Sequence, residues 1–306
     1  MYHVFSWHKW RDIALVTLAL AVALVAVGEA VAAGWQMQAV ENGGREEPRV
    51  YLPILMYHSV LKDSSRLGQY VISPAQLESD LAYIRQQGYT TVVMRDVIDY
   101  VDNGTPLPEK PIMLTFDDGF YNNYLYAYPL LKQYDMTAVI SPVVKWSEFY
   151  SDTPQEQNHA LYSYLTWAQI REMADSGVVE IQNHTYDMHY NKSGGRKGTL
   201  MCAGETVESY QQVLRDDLTR AQTLLTQQAG VTPTVFTYPY GAMCDEAAPV
   251  IRAMGFRGSL SCESRINVIT RQADCLYRLG RYLRPAQVDS HAYLDKIFAA
   301  VRAAAE

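Results

Sequence analysis

Short apolar runs recur along this chain, and several end abruptly on a histidine or an aspartate. Tyr51–Tyr57 runs into His58, and Pro111–Phe116 into Asp117-Asp118-Gly119. Val178–Gln182 runs into Asn183-His184, and Thr234–Thr237 into Tyr238-Pro-Tyr-Gly241. Tyr89–Met94 reads as a further β-branched strand. Helix signals lie between these runs. Ser73-Pro-Ala-Gln76 and Thr166-Trp-Ala-Gln169 are capping boxes, and Gly88 and Gly177 close the segments they open. Strands alternating with helices predict an α/β fold with a mostly parallel sheet, open or closed into a barrel. In such folds functional side chains gather at the carboxyl ends of the strands. His58, Asp117, Asp118 and His184 all fall there.

The chain is 48% apolar and 19% charged, a balance that excludes a disordered polymer. Its 26 basic and 33 acidic residues give a net charge of −7. No basic stripe exists to neutralise phosphates, so no nucleic-acid partner is expected, and no protein partner is evident. Lys9 and Arg11 precede an apolar run from Ile13 to Gly28, so residues 1–34 read as a signal peptide or a membrane anchor. The run is short for a span, and Ala30-Val31-Ala32 offers a cleavage site, so both readings stand. Either one places the rest of the chain outside the cytoplasm, held at the membrane or secreted. Residues 35–48 read as a polar linker, and residues 49–300 as one domain.

His184 and His189 would sit roughly 140° apart on a helix, so they converge only in a loop. Two neutral imidazoles and one carboxylate make the ligand set of a catalytic zinc site with an open position. Asp117 and Asp118 offer the carboxylate, and a divalent cation relieves their mutual repulsion. Neighbours on a strand face opposite ways, which leaves one aspartate for metal and one for water. Taken singly, Asp-Asp-Gly also reads as a turn and the histidines as surface residues; together at strand ends they read as a site.

Thr115-Phe-Asp-Asp-Gly119, His184-Thr-Tyr-Asp-Met-His189 and Tyr238-Pro-Tyr-Gly241 resemble, in order and spacing, three motifs of the polysaccharide deacetylase family, the NodB homology domain of carbohydrate esterase family 4. The likeness covers roughly residues 50 to 285. It implies a distorted (β/α) barrel, here expected to follow an N-terminal hydrophobic helix. It also implies metal-dependent hydrolysis of N-acetyl groups on an amino-sugar polysaccharide. By the resemblance, Asp117 is the general base, Asp118, His184 and His189 are metal ligands, and the backbone N–H of Tyr240 helps hold the oxyanion. Zn²⁺ is the foremost metal, with Co²⁺, Ni²⁺ and Fe²⁺ suited to the same donors.

Two departures stand out. The family's third motif opens on an arginine that orients the base, and Thr237 stands in its place. Arg278 or Arg281 offers a substitute, although both read more simply as solvated. The late L-x-H motif that supplies the family's general acid is also missing. Leu55-Met-Tyr-His58 is similar to the opening of a branch that includes the poly-β-1,6-N-acetylglucosamine deacetylases, in which the M-Y-H histidine is the acid. That resemblance assigns the role to His58, expected protonated beside Asp117, and favours a β-1,6-linked N-acetylglucosamine polymer. His159 is expected to be merely exposed.

Export favours oxidation of the four cysteines, with Cys202–Cys244 and Cys262–Cys275 as the expected pairs. Tyr121, Tyr186 and Tyr238 lie in or beside the motifs, where sugar faces stack on aromatics, although most tyrosines serve packing. No glycosidase-like domain is expected after this one. The alternative functions are an O-deacetylase of a plant-type polysaccharide such as xylan, or a catalytically idle glycan-binding module.

Overall fold

A computed structural model describes residues 49–191 and 196–306. Its apolar runs pair side by side in chain order: Ile54–Tyr57 (β1), Pro111–Asp118 (β2), Ala138–Pro142 (β3), Val179–Ile181 (β4), Val235–Thr237 (β5), Gly258–Leu260 (β6) and Tyr282–Leu283 (β7). All the pairings along this path are parallel, and β7 returns to β1 through Tyr282 and Leu55. Parallel bridges at Asn183–Phe236 and Leu260–Leu279 join β4 to β5, and β6 to the segment leading into β7. The ring closes as a distorted (β/α) barrel. Outside it, Val50–Leu52 pairs antiparallel with Asn267–Ile269.

The helices are Pro74–Gln86 (α1), Met94–Asn103 (α2), Tyr128–Tyr134 (α3), Val144–Asp152 (α4), Trp167–Asp175 (α5), Val207–Ala229 (α6), Ala247–Ala253 (α7) and Ser290–Ala305 (α8). Both expected capping boxes form. Ser73 Oγ accepts from Gln76 N at 3.1 Å while Gln76 Oε1 accepts from Ser73 N at 3.2 Å. Leu77, Leu81 and Ile84 of α1 lie one helical turn apart and are fully buried, each worth about 1.5–3 kcal/mol of apolar transfer. The expected strand over Tyr89–Met94 is cut to Thr90–Thr91. Asp96 accepts a hydrogen bond from the Val93 N–H, and this turns the chain into α2 at Met94.

The two-residue period of the strands decides what reaches the site. Leu55, Tyr57, Leu114, Phe116 and Ile140 join the core formed with the helical layer. Ile54, Met113, Val139, Val235 and Leu260 form a separate apolar cluster. The second set is the barrel lumen, because neighbouring residues on a strand face opposite sides. Two residues further along β2, the same face carries Thr115 and then Asp117. The lumen is therefore apolar at one end and polar at the carboxyl ends of the strands.

The expected leader and linker, residues 1–48, lie outside the described residues. Among the described residues no helix is long and apolar enough to cross a membrane. The expected disulfides do not form, and all four cysteines are thiols. Each sulfur sits in its own surroundings. Cys244 Sγ donates to Tyr210 Oη at 3.2 Å, Cys275 Sγ donates to the Thr270 carbonyl at 3.7 Å, and Cys262 Sγ packs 3.8 Å from Met56 Sδ. Cys202 instead anchors its loop, its N–H donating to Glu205 Oε2 at 2.9 Å.

Candidate active site

Asp118 ends β2 at φ 69°, and Gly119 follows at φ 76°. A side chain at position 119 would bring a Cβ within 2.6 Å of Pro142 Cβ, so the turn needs glycine there. Thr185 (φ 74°) and Tyr240 (φ 59°) are further non-glycine left-handed residues at the site. Such conformations cost energy and persist where the surroundings hold them. At Thr185 three hydrogen bonds do so. Its N–H donates to Asn183 Oδ1, its carbonyl accepts from Val144 N and its Oγ1 accepts from Met188 N.

The turn at Thr185 brings His184 and His189 onto one carboxylate. Asp118 Oδ1 lies 3.6 Å from His184 Nε2 and 3.1 Å from His189 Nε2. His184 Nδ1 lies 2.8 Å from the Thr237 carbonyl, which can only accept, so Nδ1 carries the hydrogen and Nε2 presents a lone pair. That lone pair faces a buried carboxylate oxygen with no hydrogen-bond partner. Two electron-rich atoms in this relation are mutually repulsive unless a cation lies between them. One ligand atom from each of Asp118, His184 and His189 falls within 4.8 Å of the others. The donor set therefore fits a divalent metal, with two imidazoles and one carboxylate. Without a cation the same carboxylate can instead draw a proton onto either imidazole, and N–H groups facing it then hold its carboxyl well below the ordinary range against the cost of burial.

Asp117 faces the lumen and is buried. Arg281, from the segment entering β7, reaches it with two parallel bonds, Nη1–Oδ1 at 2.6 Å and Nη2–Oδ2 at 2.8 Å. Arg281 is itself fully buried, and its Nε donates to the Ser261 carbonyl at 2.8 Å. Although burial works against ionisation, the guanidinium keeps the Asp117 carboxyl below its ordinary range. Thr237, where the family motif carries an arginine, puts its hydroxyl 2.8 Å from Ser141 Oγ. The sequence reading of two solvated arginines is corrected for Arg281. It holds for Arg278, which pairs with exposed Asp245 at the surface.

His58 follows β1 and opens onto the same cleft of about 670 Å³ as Asp117, Asp118, His184, His189 and Tyr240. Its ring meets Tyr70 edge-on at 4.9 Å, and its backbone carbonyl accepts from Asn123 Nδ2 at 2.7 Å. Burial lowers its pKa, and the carboxylates of Asp117 and Asp118 do not fully offset this. The expected protonated state is therefore disfavoured at rest. Tyr240 lays its ring 4.5 Å from that of His189, with its hydroxyl 3.3 Å from His189 Nδ1. His159 is exposed and stacks on Tyr162. Tyr121 and Tyr238 are buried, and Tyr186 is half-buried with its hydroxyl on Glu148, so these three pack instead of lining the cleft.

One residue that the motifs do not reveal holds the histidine loop. Asp217, on α6, accepts from the backbone N–H groups of Tyr186 and Asp187, each at 2.8 Å. Burial pushes its carboxyl up to about 6 despite those bonds.

A parallel barrel carrying a cluster of two histidines and an aspartate that fits a divalent metal, beside an arginine-locked aspartate, defines a hydrolase-like site at the strand ends. The chain belongs to the polysaccharide deacetylase family, whose sequence profile matches residues 104–259. It is similar to a poly-β-1,6-N-acetyl-D-glucosamine N-deacetylase of Escherichia coli (strain K12), with 28% identity over 225 residues, 69% of this chain and 34% of that protein. A protein of the same description from Staphylococcus aureus (strain MRSA252) is 27% identical over 202 residues, 66% of this chain and 64% of that one. The chain thus spans about a third of the length of the E. coli relative, 34%, and just under two thirds of the S. aureus one, 64%. Among solved structures, a de-N-acetylase from Aggregatibacter actinomycetemcomitans superposes with a TM-score of 0.67 at 30% identity, covering 82% of this chain and 99% of that one. IcaB from Ammonifex degensii gives 0.66 at 26% identity, covering 84% and 98%.

Proposed function

We propose that this chain is an exported, divalent-metal-dependent deacetylase. In this reading it removes N-acetyl groups from a β-1,6-linked N-acetylglucosamine polymer and releases acetate. The observation that carries the reading is the adjacency of Asp117 and Asp118. One carboxylate is locked by Arg281 and the other is shared by two imidazoles, both in one cleft with His58. The β-1,6 linkage rests on the relatives named above and on the Met56-Tyr57-His58 opening. Export rests on Lys9, Arg11 and the apolar run after them.

A divalent ion held by Asp118, His184 and His189 would polarise the acetamide carbonyl and lower the pKa of water beside it. Asp117, kept ionised and pointed by Arg281, takes a proton from the water attacking that carbonyl. The left-handed turn at Tyr240 offers its backbone N–H to the oxyanion as charge develops. His58, neutral at rest, first takes up a proton from solvent in the cleft and then delivers it to the departing amine; an imidazole held below its ordinary pKa gives up that proton readily. Transfers of this kind are typically worth about 10²–10⁴-fold.

The test is acetate release by the purified chain from β-1,6- and β-1,4-linked N-acetylglucosamine oligomers with added Zn²⁺ or Co²⁺, beside Asp117→Asn. Acetate that needs both metal and Asp117, and comes faster from the β-1,6 series, is the expected result. A folded, metal-loaded chain that releases none from either series overturns the reading.

A further inference from the structure

The cleft continues beyond the His-His-Asp cluster as a strip of aromatic rings. Phe120, which lines the cleft, lies 4.8 Å from Tyr164 between ring centroids. Tyr164 stacks on Trp146 at 5.6 Å and 25°. Trp146 in turn meets Phe149 edge-on at 6.3 Å and 86°. The strip leads outward, because Trp146 is 38% exposed and Phe149 45%.

Two features argue that the strip is built for a ligand that also enters the cleft. First, it is anchored to the metal cluster by backbone bonds. Val143 N donates to the Asp118 carbonyl at 3.1 Å and Val144 N to the Thr185 carbonyl at 3.0 Å, so α4 starts from the ligand-bearing turns themselves. Second, the core does not need these rings. Val144, Ser147 and Tyr150 form the buried face of α4, and Trp146 and Phe149 stand on its open side. Exposed aromatics placed contiguously usually mark an interaction surface.

The rim of the strip selects the ligand chemistry. Lys145 pairs with Asp187 at 2.7 Å, and Glu148 accepts from Tyr186 Oη at 2.6 Å and from Arg220 at 3.1 Å. Rings in single file with hydrogen-bonding groups along one edge suit pyranose units, whose C–H faces are apolar and whose edges carry hydroxyls. A lipid surface would find this ion-paired edge directly beside the rings, where it needs apolar area.

We propose that Trp146 and Phe149 form outer subsites for the N-acetylglucosamine units flanking the one whose acetamide sits at Asp118. The inference rests on the deacetylase reading and deepens it. It makes the chain a reader of polymer length, with the aromatic strip holding neighbouring sugars while one unit reacts.

The test compares β-1,6-linked N-acetylglucosamine hexamer with dimer. Binding is read by ligand-observed saturation-transfer NMR and acetate release by kcat/KM, for the full chain and for Trp146→Ala, Phe149→Ala and Trp146→Phe. Val213→Ala, on the exposed side of α6, serves as control. The expected result is a clear hexamer preference in the parent and the control. That preference should fall roughly tenfold in either alanine variant, the equivalent of one lost stacking contact, and be largely restored in Trp146→Phe. An unchanged hexamer preference in both alanine variants overturns the proposal. So does a parent that binds dimer and hexamer alike. So does a loss confined to sedimentation with anionic phospholipid vesicles, which would assign the strip to a membrane. A parent that binds hexamer through Trp146 but releases no acetate would sink the deacetylase reading and leave the sugar strip standing.

Discussion

Arg281 grips Asp117 with two bonds of 2.6 and 2.8 Å from a guanidinium with no solvent exposure, across 164 residues of chain. The pair plugs the polar end of the barrel lumen, and Arg281 orients the carboxylate proposed as the base, which Thr237 does not reach. Ser261 and Thr115 complete the guanidinium's bonding, with Nη1 lying 3.2 Å from Thr115 Oγ1. The arginine is therefore fixed by strands on both sides of the barrel seam.

Removing that cation should cost both fold and turnover. Arg281→Met leaves Asp117 buried without a partner, a loss of about 3–5 kcal/mol for a broken buried pair. Arg281→Lys keeps a charge but loses the two-pronged geometry. It should therefore retain more stability than Arg281→Met while losing at least tenfold in kcat. Urea titration and acetate release read the two effects separately. A Lys variant with parental kcat would show that the fork does not orient the base.

Metal binding and base function should separate by residue. Asp118→Ala and His184→Ala each remove one of three donors that converge within 4.8 Å, so purified protein should carry little metal by inductively coupled plasma analysis. Asp117→Asn, whose side chain faces Arg281, should retain metal at the parental ratio and lose acetate release. Metal lost from Asp117→Asn as readily as from Asp118→Ala would mean that both aspartates are ligands.

These contrasts show what the sequence makes legible. Asp117, Asp118, His184 and His189 stand within short motifs at strand ends, so local spacing and the carboxyl-end rule find them. Arg281 is hidden because only barrel closure, β7 returning to β1, carries it to Asp117. Nothing near Arg281 in sequence distinguishes it from Arg278, which ends at the surface on Asp245. Asp217 is hidden for a similar reason: it lies mid-helix, and its partners are backbone groups that carry no sequence signal. Tyr89–Met94 is misread because β-branching favours a strand, whereas Asp96 capping Val93 starts a helix. The cysteine pairing fails because chain order says nothing of which sulfurs share a pocket.

His58→Ala should keep the metal and lose most turnover. The ring shares the cleft with the metal donors but is not one of the cluster. Loss of an acid that protonates a departing amine is worth about 10²-fold or more. The check is kcat on an acetamide substrate against kcat on an activated acetyl ester, whose leaving group needs no proton. The ester rate should hold in His58→Ala while the amide rate falls. Equal losses on both substrates would assign His58 to binding.

Asp217 ties stability to pH with a sign that can be worked out in advance. Its folded pKa is about 6, whereas an unfolded aspartate titrates near 3.8, so burial favours the protonated form in the native state. Between these values the native chain holds a proton that the unfolded chain has released. The group's contribution is therefore full below about pH 4 and is lost as pH rises through 6. Asp217→Asn removes this slope. It also turns an amide N–H₂ toward one of the two N–H groups that Oδ1 and Oδ2 now accept. The variant should be less stable than the parent at low pH and recover against it by on the order of 2–3 kcal/mol between pH 3.5 and 7. Its metal affinity should be lower, because the loop from His184 to His189 loses a backbone anchor. Urea midpoints across that range and calorimetric metal titration at pH 7 measure both. A stability difference that stays flat with pH would mean that Asp217 is ionised throughout and that its two N–H bonds outweigh its burial.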